Sequence, residues 1–173
     1  MTVSESIQRM TNKLVELYKI DFGYPLGENV IRKVDRRNGI PSAFVSTNGS
    51  TWLNELYSAC DGISFPDVHV GYFLKPIERV ISFDRSSEPT TVVLDHEFSV
   101  LPFGSTGGGG LFVVGCDLGN VMLLPPGPLH DGRYCGIGQN VKHVAATVPI
   151  FVDLLSSDLS AFVNDDRDHI YIA

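Results

Sequence analysis

The sequence predicts an α+β fold, a twisted antiparallel sheet of about five to six strands flanked by N-terminal and C-terminal helices. Two observations predict the helices: apolar residues recur at helical spacing near the N-terminus, and again near the C-terminus. A third predicts the sheet, because short apolar runs between them are separated by glycine, proline, aspartate and serine. With 173 residues and no linker or repeat, the chain is expected to form one domain, residues 1–173.

The N-terminal helix is expected to start after Thr2, because Thr2 and Glu5 have the spacing of a capping box. Its apolar stripe would consist of Ile7, Met10, Leu14 and Leu17. Between Asp21 and Asn38, several glycines and a proline precede the run IRKVDRR. This pattern favours a loop followed by a short strand or turn.

Two more helices are expected. The second covers Thr51 to Cys60, with Ser50 or Thr51 as its cap and Gly62 just after its end. One side of it would carry Trp52, Leu53, Leu56, Tyr57 and Cys60. The last helix follows Thr147 and has Pro149 in its first turn. Its apolar stripe would consist of Phe151, Leu154, Leu155, Leu159 and Phe162.

Six strand-like runs fill the middle of the chain: GYFL, ERVISF, TTVVLD, FSVLPF, LFVVG and NVMLLP. They begin at residues 71, 78, 90, 98, 111 and 120. Because no helical pattern separates them, an antiparallel meander is expected. After the last helix, the sequence DDRDHIYIA predicts a short edge strand or a frayed tail.

The charge balance excludes one class of partner. The chain has 13 Lys and Arg against 20 Asp and Glu, a net charge of −7. Residues 1–37 carry seven basic and five acidic side chains, so the negative charge is concentrated in the rest of the chain. A nucleic-acid partner is therefore not expected, because this field repels a phosphate backbone.

The cysteines and the N-terminus indicate a compartment. Cys60, Cys116 and Cys135 are odd in number and lack CxxC spacing, which favours reduced thiols. The N-terminal segment has charges every few residues, and the longest apolar stretches are too short to cross a bilayer. We therefore expect a cytoplasmic protein that does not associate with membranes.

Neither a cofactor nor a metal is expected. The run from Phe103 to Gly115 contains four consecutive glycines, a possible phosphate cradle, but a strand pattern follows it. A glycine-rich hairpin turn or bulge is the favoured interpretation. The five histidines lack chelating spacings, and Asp95, His96 and Glu97 would alternate between the faces of a strand.

Catalytic residues are not predicted either. Cys60 lies on the apolar side of its helix and Cys116 beside an apolar strand, so both are expected to be buried, inert thiols. The remaining local cluster is Cys135 with His130 and Asp131. A rival hypothesis is therefore an enzyme or a small-ligand binder that uses this cluster near a concave sheet face.

Most carboxylates fall at helix ends and between strands, where solvation and turn chemistry explain their presence. The functional interpretation is an acidic patch that steers a basic protein partner. The candidate contact residues are Asp61, Asp67, Asp95 and Glu97.

Several stretches, taken in order, resemble the SUKH superfamily, which includes the fungal Smi/Knr-type cell-wall regulators and many bacterial immunity proteins. They are NGIP at 38–41, WLNELYSACDG at 52–62, GYFL at 71–74, VLPFGSTGGGGLFVV at 100–114 and DLGNVMLLPPG at 117–127. In the C-terminal helix, Phe151 and Leu154 to Leu155 would form the family's Phe-Leu pair. The resemblance covers about residues 38–155.

The resemblance implies a twisted antiparallel sheet flanked by helices, and a role in protein binding. It implies a non-enzymatic immunity protein that neutralises a cognate toxin, such as a nuclease, by occluding its surface. The negative charge suits a basic toxin domain. The alternative is an intracellular scaffold or adaptor of the Smi/Knr type.

Overall fold

A central sheet has helices on one face and a smaller group of strands on the other. The computed structural model describes residues 1–35, 39–82, 84, 87–136 and 140–173. The helices are α1 (Val3–Leu17), α2 (Ser42–Val45), α3 (Asn54–Ala59), α4 (Ile77–Ile81) and α5 (Val148–Val163), with a 3₁₀ turn at Ser50–Leu53 before α3. The strands are β1 (Val30–Ile31), β2 (Ile63–Phe65), β3 (Tyr72–Leu74), β4 (Thr91–Val93), β5 (Glu97–Thr106), β6 (Leu111–Gly115), β7 (Val121–Leu124), β8 (Leu129–His130), β9 (Arg133–Cys135) and β10 (Lys142–Ala145).

The longest strand, β5, organises the sheet. Its second half pairs with β3 on one side and with β6 on the other, in the order β1-β2-β3-β5-β6-β7-β10. Its first residues pair with β4, which continues to β9 and β8. Every pairing is antiparallel except that of β4 with β9.

The α+β class is confirmed, but the expected five to six strands are too few. The structure has about ten strands in the described part of the chain. Strands β2, β8, β9 and β10 were not expected and have only two to four residues. Strands this short show no recognisable alternation, and their stability depends on pairing with neighbours remote in sequence.

Two apolar cores lie on opposite faces of the sheet. In β6, Phe112 and Val114 face the larger core with α1, α3 and α5, whereas Val113 faces the smaller core. The smaller core brings together Val92 of β4 and Tyr134 of β9. The alternation along β6 therefore buries both faces of the central sheet.

The local signals at both ends of the chain are confirmed. Thr2 and Glu5 form the reciprocal capping box of α1. The side chain of Thr147 accepts a bond from the Ile150 N–H at the start of α5. Helix α1 packs against α5, so the two predicted apolar stripes cover each other and the sheet.

The prediction of a strand for the run ERVISF is wrong. The run lies mainly in helix α4, and its last residue, Phe83, lies outside the described residues. Pro76 precedes the helix, and the Asp61 carboxylate accepts the Ile77 N–H at 3.0 Å. This bond satisfies an amide that a helix end leaves unpaired. Because Asp61 lies 16 residues before Ile77, the local sequence pattern could not indicate this bond.

The expected second helix differs in its first turn. Residues 50–53 form a 3₁₀ turn, preceded by Gly49 rather than capped by Ser50 or Thr51. Leu53, Leu56 and Tyr57 are buried as expected, but Trp52 is exposed because the tighter turn rotates it away from the core. Gly62 has the expected positive φ, +99°.

The tail is neither an edge strand nor frayed. Residues 164–173 form an irregular segment that lies along α5. Ile172 is only 6% exposed, and its carbonyl accepts a bond from Lys142 Nζ at 2.8 Å. The buried Asp158 carboxylate of α5 accepts the Ile172 N–H at 3.1 Å. Burial and hydrogen bonds together therefore hold the tail in place.

Candidate partner-binding site

An open cleft of about 490 Å³ lies between the β4–β5 turn and the β6–β7 turn. We call it the acidic cleft. It is lined by Leu94, His96, Glu97, Phe98, Ser99, Gly115, Cys116, Asp117, Leu118 and Asn120. Both turns are hairpin connections beside β5 and β6, so paired strands fix the two walls.

The wall formed by the β6–β7 turn exposes an aliphatic side chain. Leu118 is 78% exposed at the tip of this turn. On the opposite wall, Leu94 and Phe98 are half-buried against the smaller core, and the His96 ring lies 5.4 Å from that of Phe98. Apolar surface in the cleft is therefore accessible to solvent in the folded protein.

Trp52 supports the turn that carries Leu118. Its indole N–H donates to the carbonyl of Cys116 at 2.8 Å. A Cβ on Gly119 would lie 2.6 Å from the Trp52 ring, and Gly119 has a φ of +72°. Glycine is therefore required here both by its backbone conformation and by the close approach of the indole.

Carboxylates surround this apolar surface. Asp95, Glu97 and Asp117 are all exposed. Glu97 pairs with Arg133 at 2.6 Å, and about half of each side chain remains exposed. A pair with this exposure contributes only about 0–1 kcal/mol to stability, so an incoming cation can compete for Glu97.

Cys116 lies in the cleft but is poorly suited to act as a nucleophile. Burial raises the pKa of its thiol to about 11, and the neighbouring charge of Asp117 adds to the effect. The reactive thiolate is therefore scarce at neutral pH. Cys60 is fully buried, as expected.

The four predicted contact residues do not form one patch. Glu97 lines the acidic cleft, and Asp95 is exposed in the β4–β5 turn two residues before it. Asp67 follows β2, near the other end of β5, where its carboxylate accepts bonds from the Gly27 N–H at 2.8 Å and the Asn29 amide at 2.6 Å. Asp61 holds the start of α4. Ten residues of β5 separate the two ends by about 30 Å.

The rival cluster lies on a different hairpin. His130 and Cys135 belong to β8 and β9, and Asp131 occupies the connecting turn with a φ of +49°. His130 pairs with Arg133, two residues before Cys135, which places His130 and Cys135 about 7–8 Å apart on the diagonal. In the described residues, no hydrogen bond joins these three side chains. Their arrangement lacks the contact that a nucleophile and its base require.

The glycine-rich run forms the expected hairpin, which connects β5 to β6. The Thr106 N–H donates to the Gly110 carbonyl at 2.8 Å, and the Gly110 N–H donates to the Thr106 hydroxyl at 3.1 Å. The Gly107 N–H donates to the carbonyls of Val70 and Gly71. These glycine amides therefore bond within the fold.

The described residues hold neither a cluster of metal ligands nor a helix that could span a membrane. Over the described ranges, no three His, Cys, Asp or Glu side chains are grouped in a way that could hold a metal ion. Within the same part of the chain, every helix is too short or too polar to cross a bilayer.

Sequence reasoning missed two residues of this site, Trp52 and Leu118. The helical spacing of Trp52 predicts a place on the apolar side of its helix, whereas the 3₁₀ turn leaves its side chain exposed. Leu118 lies in the segment CDLGN between two strands, where one aliphatic residue stands among turn-forming residues. That isolation is a signal that could have indicated an exposed side chain.

The fold and the cleft show what kind of protein this is. It is an α+β protein whose candidate binding surface is an exposed apolar patch bordered by carboxylates. Comparisons with models of protein families, with curated proteins and with solved structures found no match. The resemblance to the SUKH superfamily therefore stays a prediction.

Proposed function

We propose that this chain is a non-enzymatic protein-binding module of the immunity type, which neutralises a basic toxin domain in the cytoplasm by occluding its surface. The single observation that carries the proposal is the acidic cleft. It combines the exposed Leu118 with the lining carboxylates of Glu97 and Asp117, and the exposed Asp95 lies two residues before Glu97 in the adjoining turn. Of the predicted contact residues, Asp95 and Glu97 belong to this proposed interface.

The two components of the cleft have different roles in binding. Covering Leu118 removes its side chain from water, which contributes about 1.5–3 kcal/mol when the burial is complete. The carboxylates act earlier, because complementary charge raises the rate of encounter with a basic surface. Arg133 moderates this field through its pair with Glu97.

The resemblance to immunity proteins supports a toxin as the partner, and the net charge of −7 supports a basic one. Nuclease domains that act on nucleic acid tend to be basic, so a nuclease fits both arguments. Nothing observed in the structure favours the adaptor alternative over this proposal.

The test begins with capture of partners from the host lysate on the tagged protein at low and high salt. A captured toxin domain is then purified, and its association rate is measured with wild type and with D95N/E97Q/D117N. The matched control, E28Q/D35N/E55Q, removes the same charge from exposed carboxylates elsewhere.

We expect the cleft variant to lower the association rate about tenfold or more at low salt and the control to change it less than twofold. Leu118→Ser should raise the dissociation rate. Equal effects of the two triple variants would contradict the assignment of the cleft. Capture of signalling or cell-wall proteins with no toxin would favour the adaptor instead.

A further inference from the structure

A second cleft, of about 500 Å³, lies between the loop after α1 and the end of α5. We call it the aromatic cleft. Its walls include Phe22, Tyr24, Phe162, Tyr171, Asp165 and Asp166. It lies near the end of β5 opposite to the acidic cleft, because Tyr72, which contacts α5 through Asp158, pairs with Thr106.

Aromatic rings form a connected surface in this cleft. The Phe22 ring stacks on that of Phe162, with centroids 5.8 Å apart and an angle of 16° between the planes. The Tyr24 ring lies 5.8 Å from that of Phe22, and Tyr24 is 54% exposed. Electron-rich ring faces are therefore accessible from solvent.

The wall formed by Tyr171 is held in a fixed position. The His69 ring stacks on it at 4.2 Å, and the His169 ring meets it edge-on at 4.8 Å. His169 Nε2 also lies 2.7 Å from a carboxylate oxygen of the buried Asp158. This wall of the cleft is thus in place before binding, so ordering Tyr171 adds little to the cost of binding.

Charge at the cleft is acidic, with one cation at its edge. Asp165 and Asp166 line it and are exposed. Arg167 places its guanidinium 3.3 Å from the Asp165 carboxylate, and both side chains are at least 80% exposed. Pairs this exposed are weak, so another cation can replace Arg167.

We propose that the aromatic cleft binds an arginine side chain of a protein partner. Its guanidinium would lie against the exposed ring of Tyr24 and the half-buried ring of Tyr171, and would pair with Asp165 in place of Arg167. Arginine is the favoured occupant because its planar cation stacks on aromatic faces and bonds carboxylates through two N–H groups. This proposal does not depend on the acidic cleft.

The test uses nuclear magnetic resonance titration of the full chain with N-acetyl-arginine amide. The citrulline analogue keeps the shape and removes the charge, whereas the norleucine analogue tests an apolar occupant. We expect the arginine compound to shift amide signals at residues 22–24 and 165–171, and to bind more tightly than the other two. Equal binding of citrulline or norleucine, or no shifts in these segments, would overturn the proposal.

Variants separate recognition from a structural effect. Tyr24→Ala and Asp165→Asn should each weaken binding about three- to tenfold. Asparagine suits position 165, where φ is +51°. Arg167→Ala should tighten binding because it removes the competing guanidinium.

Asp168→Asn is the matched control, because Asp168 belongs to the same exposed segment but does not line the cleft. It should change affinity less than twofold. Weaker binding in Arg167→Ala would overturn the proposal, as would equal losses in Asp168→Asn and Asp165→Asn. A further titration with N-acetyl-lysine amide tests the choice of cation, and affinity equal to that of the arginine compound would overturn the assignment to arginine.

Discussion

The hydroxyl of Tyr72 donates a hydrogen bond of 2.7 Å to the carboxylate of Asp158, which is 1% exposed. Tyr72 lies in β3 and Asp158 in α5, so this bond joins the sheet to the helix that covers it. The same carboxylate accepts the Ile172 N–H and contacts His169. Asp158 therefore links sheet, helix and tail.

Removing the hydroxyl leaves this buried carboxylate with one fewer donor. We expect Tyr72→Phe to lower the free energy of unfolding by about 1–3 kcal/mol, measured by urea denaturation. Tyr24→Phe is the control, because no group in the described part of the chain hydrogen-bonds to its exposed hydroxyl, and a change within about 0.5 kcal/mol is expected. Equal effects would contradict the role assigned to the bond.

The same bond predicts a response to alkaline pH. Burial, and then the bond to Asp158, raises the pKa of Tyr72 above its ordinary value of 10.0. The neutral hydroxyl is favoured in the folded state, so its contribution is complete below pH 10 and is lost as pH rises further. Wild type should therefore lose stability more steeply than Tyr72→Phe between about pH 10 and 11. Parallel curves would contradict this sign.

The docked tail predicts different effects for two isoleucines. Ile172 is 6% exposed and Ile170 is 88% exposed. Ile172→Ala should cost about 2–4 kcal/mol in unfolding free energy, because it removes buried methyl groups. Ile170→Ala should change stability by less than about 0.5 kcal/mol. If both variants were neutral, the tail would not be docked in solution.

Gly119 and Gly23 allow the contact with Trp52 to be isolated. Both have a φ of +72°, but only Gly119 faces the indole, whereas a Cβ on Gly23 meets nothing within 4 Å. Gly23→Ala should cost about 1–2 kcal/mol for backbone strain alone, and Gly119→Ala about 1–3 kcal/mol more for the collision.

Trp52 is the single tryptophan of the chain, so its fluorescence reports the same contact directly. We expect the emission spectrum to change in Gly119→Ala and to stay as in wild type in Gly23→Ala. Identical stabilities and spectra in the two variants would show that the indole does not approach Gly119.

The raised pKa of Cys116 predicts slow alkylation. A thiol with a pKa of about 11 instead of 9.0 has a thiolate fraction roughly 100-fold smaller at pH 8. Peptide mass spectrometry of iodoacetamide-treated protein should show slow modification of Cys116 in the native state and fast modification in urea. Because the folded pKa is raised, the protection should persist to about pH 9 and fade toward pH 11. Equal rates in both states would contradict it.

The sequence predicted elements whose signals are complete within a short segment. The capping box of Thr2 and Glu5, and Thr147 before α5, placed both long helices. The four glycines predicted the β5–β6 hairpin. Helix α4 was missed because its stabilising contact is Asp61, which lies 16 residues before Ile77.

The candidate site could be predicted only in part. Charge predicts all four carboxylates alike, but only Glu97 lines the acidic cleft, with Asp95 in the adjoining turn. Asp61 and Asp67 accept hydrogen bonds within the fold. Charge alone does not reveal a carboxylate's partners. A carboxylate that is free in solvent and one that accepts hydrogen bonds from the backbone differ only in their tertiary contacts, which the sequence does not show.

The α+β class, the two long helices, the glycine hairpin and the acidic net charge can all be predicted from the amino-acid sequence, because capping, periodicity and composition act over short distances. The folded chain is needed to show that Leu118, Asp117 and Glu97 line one cleft and that the tail packs on Asp158. Short strands, buried carboxylates and exposed clefts depend on contacts between residues remote in sequence, which no local pattern records.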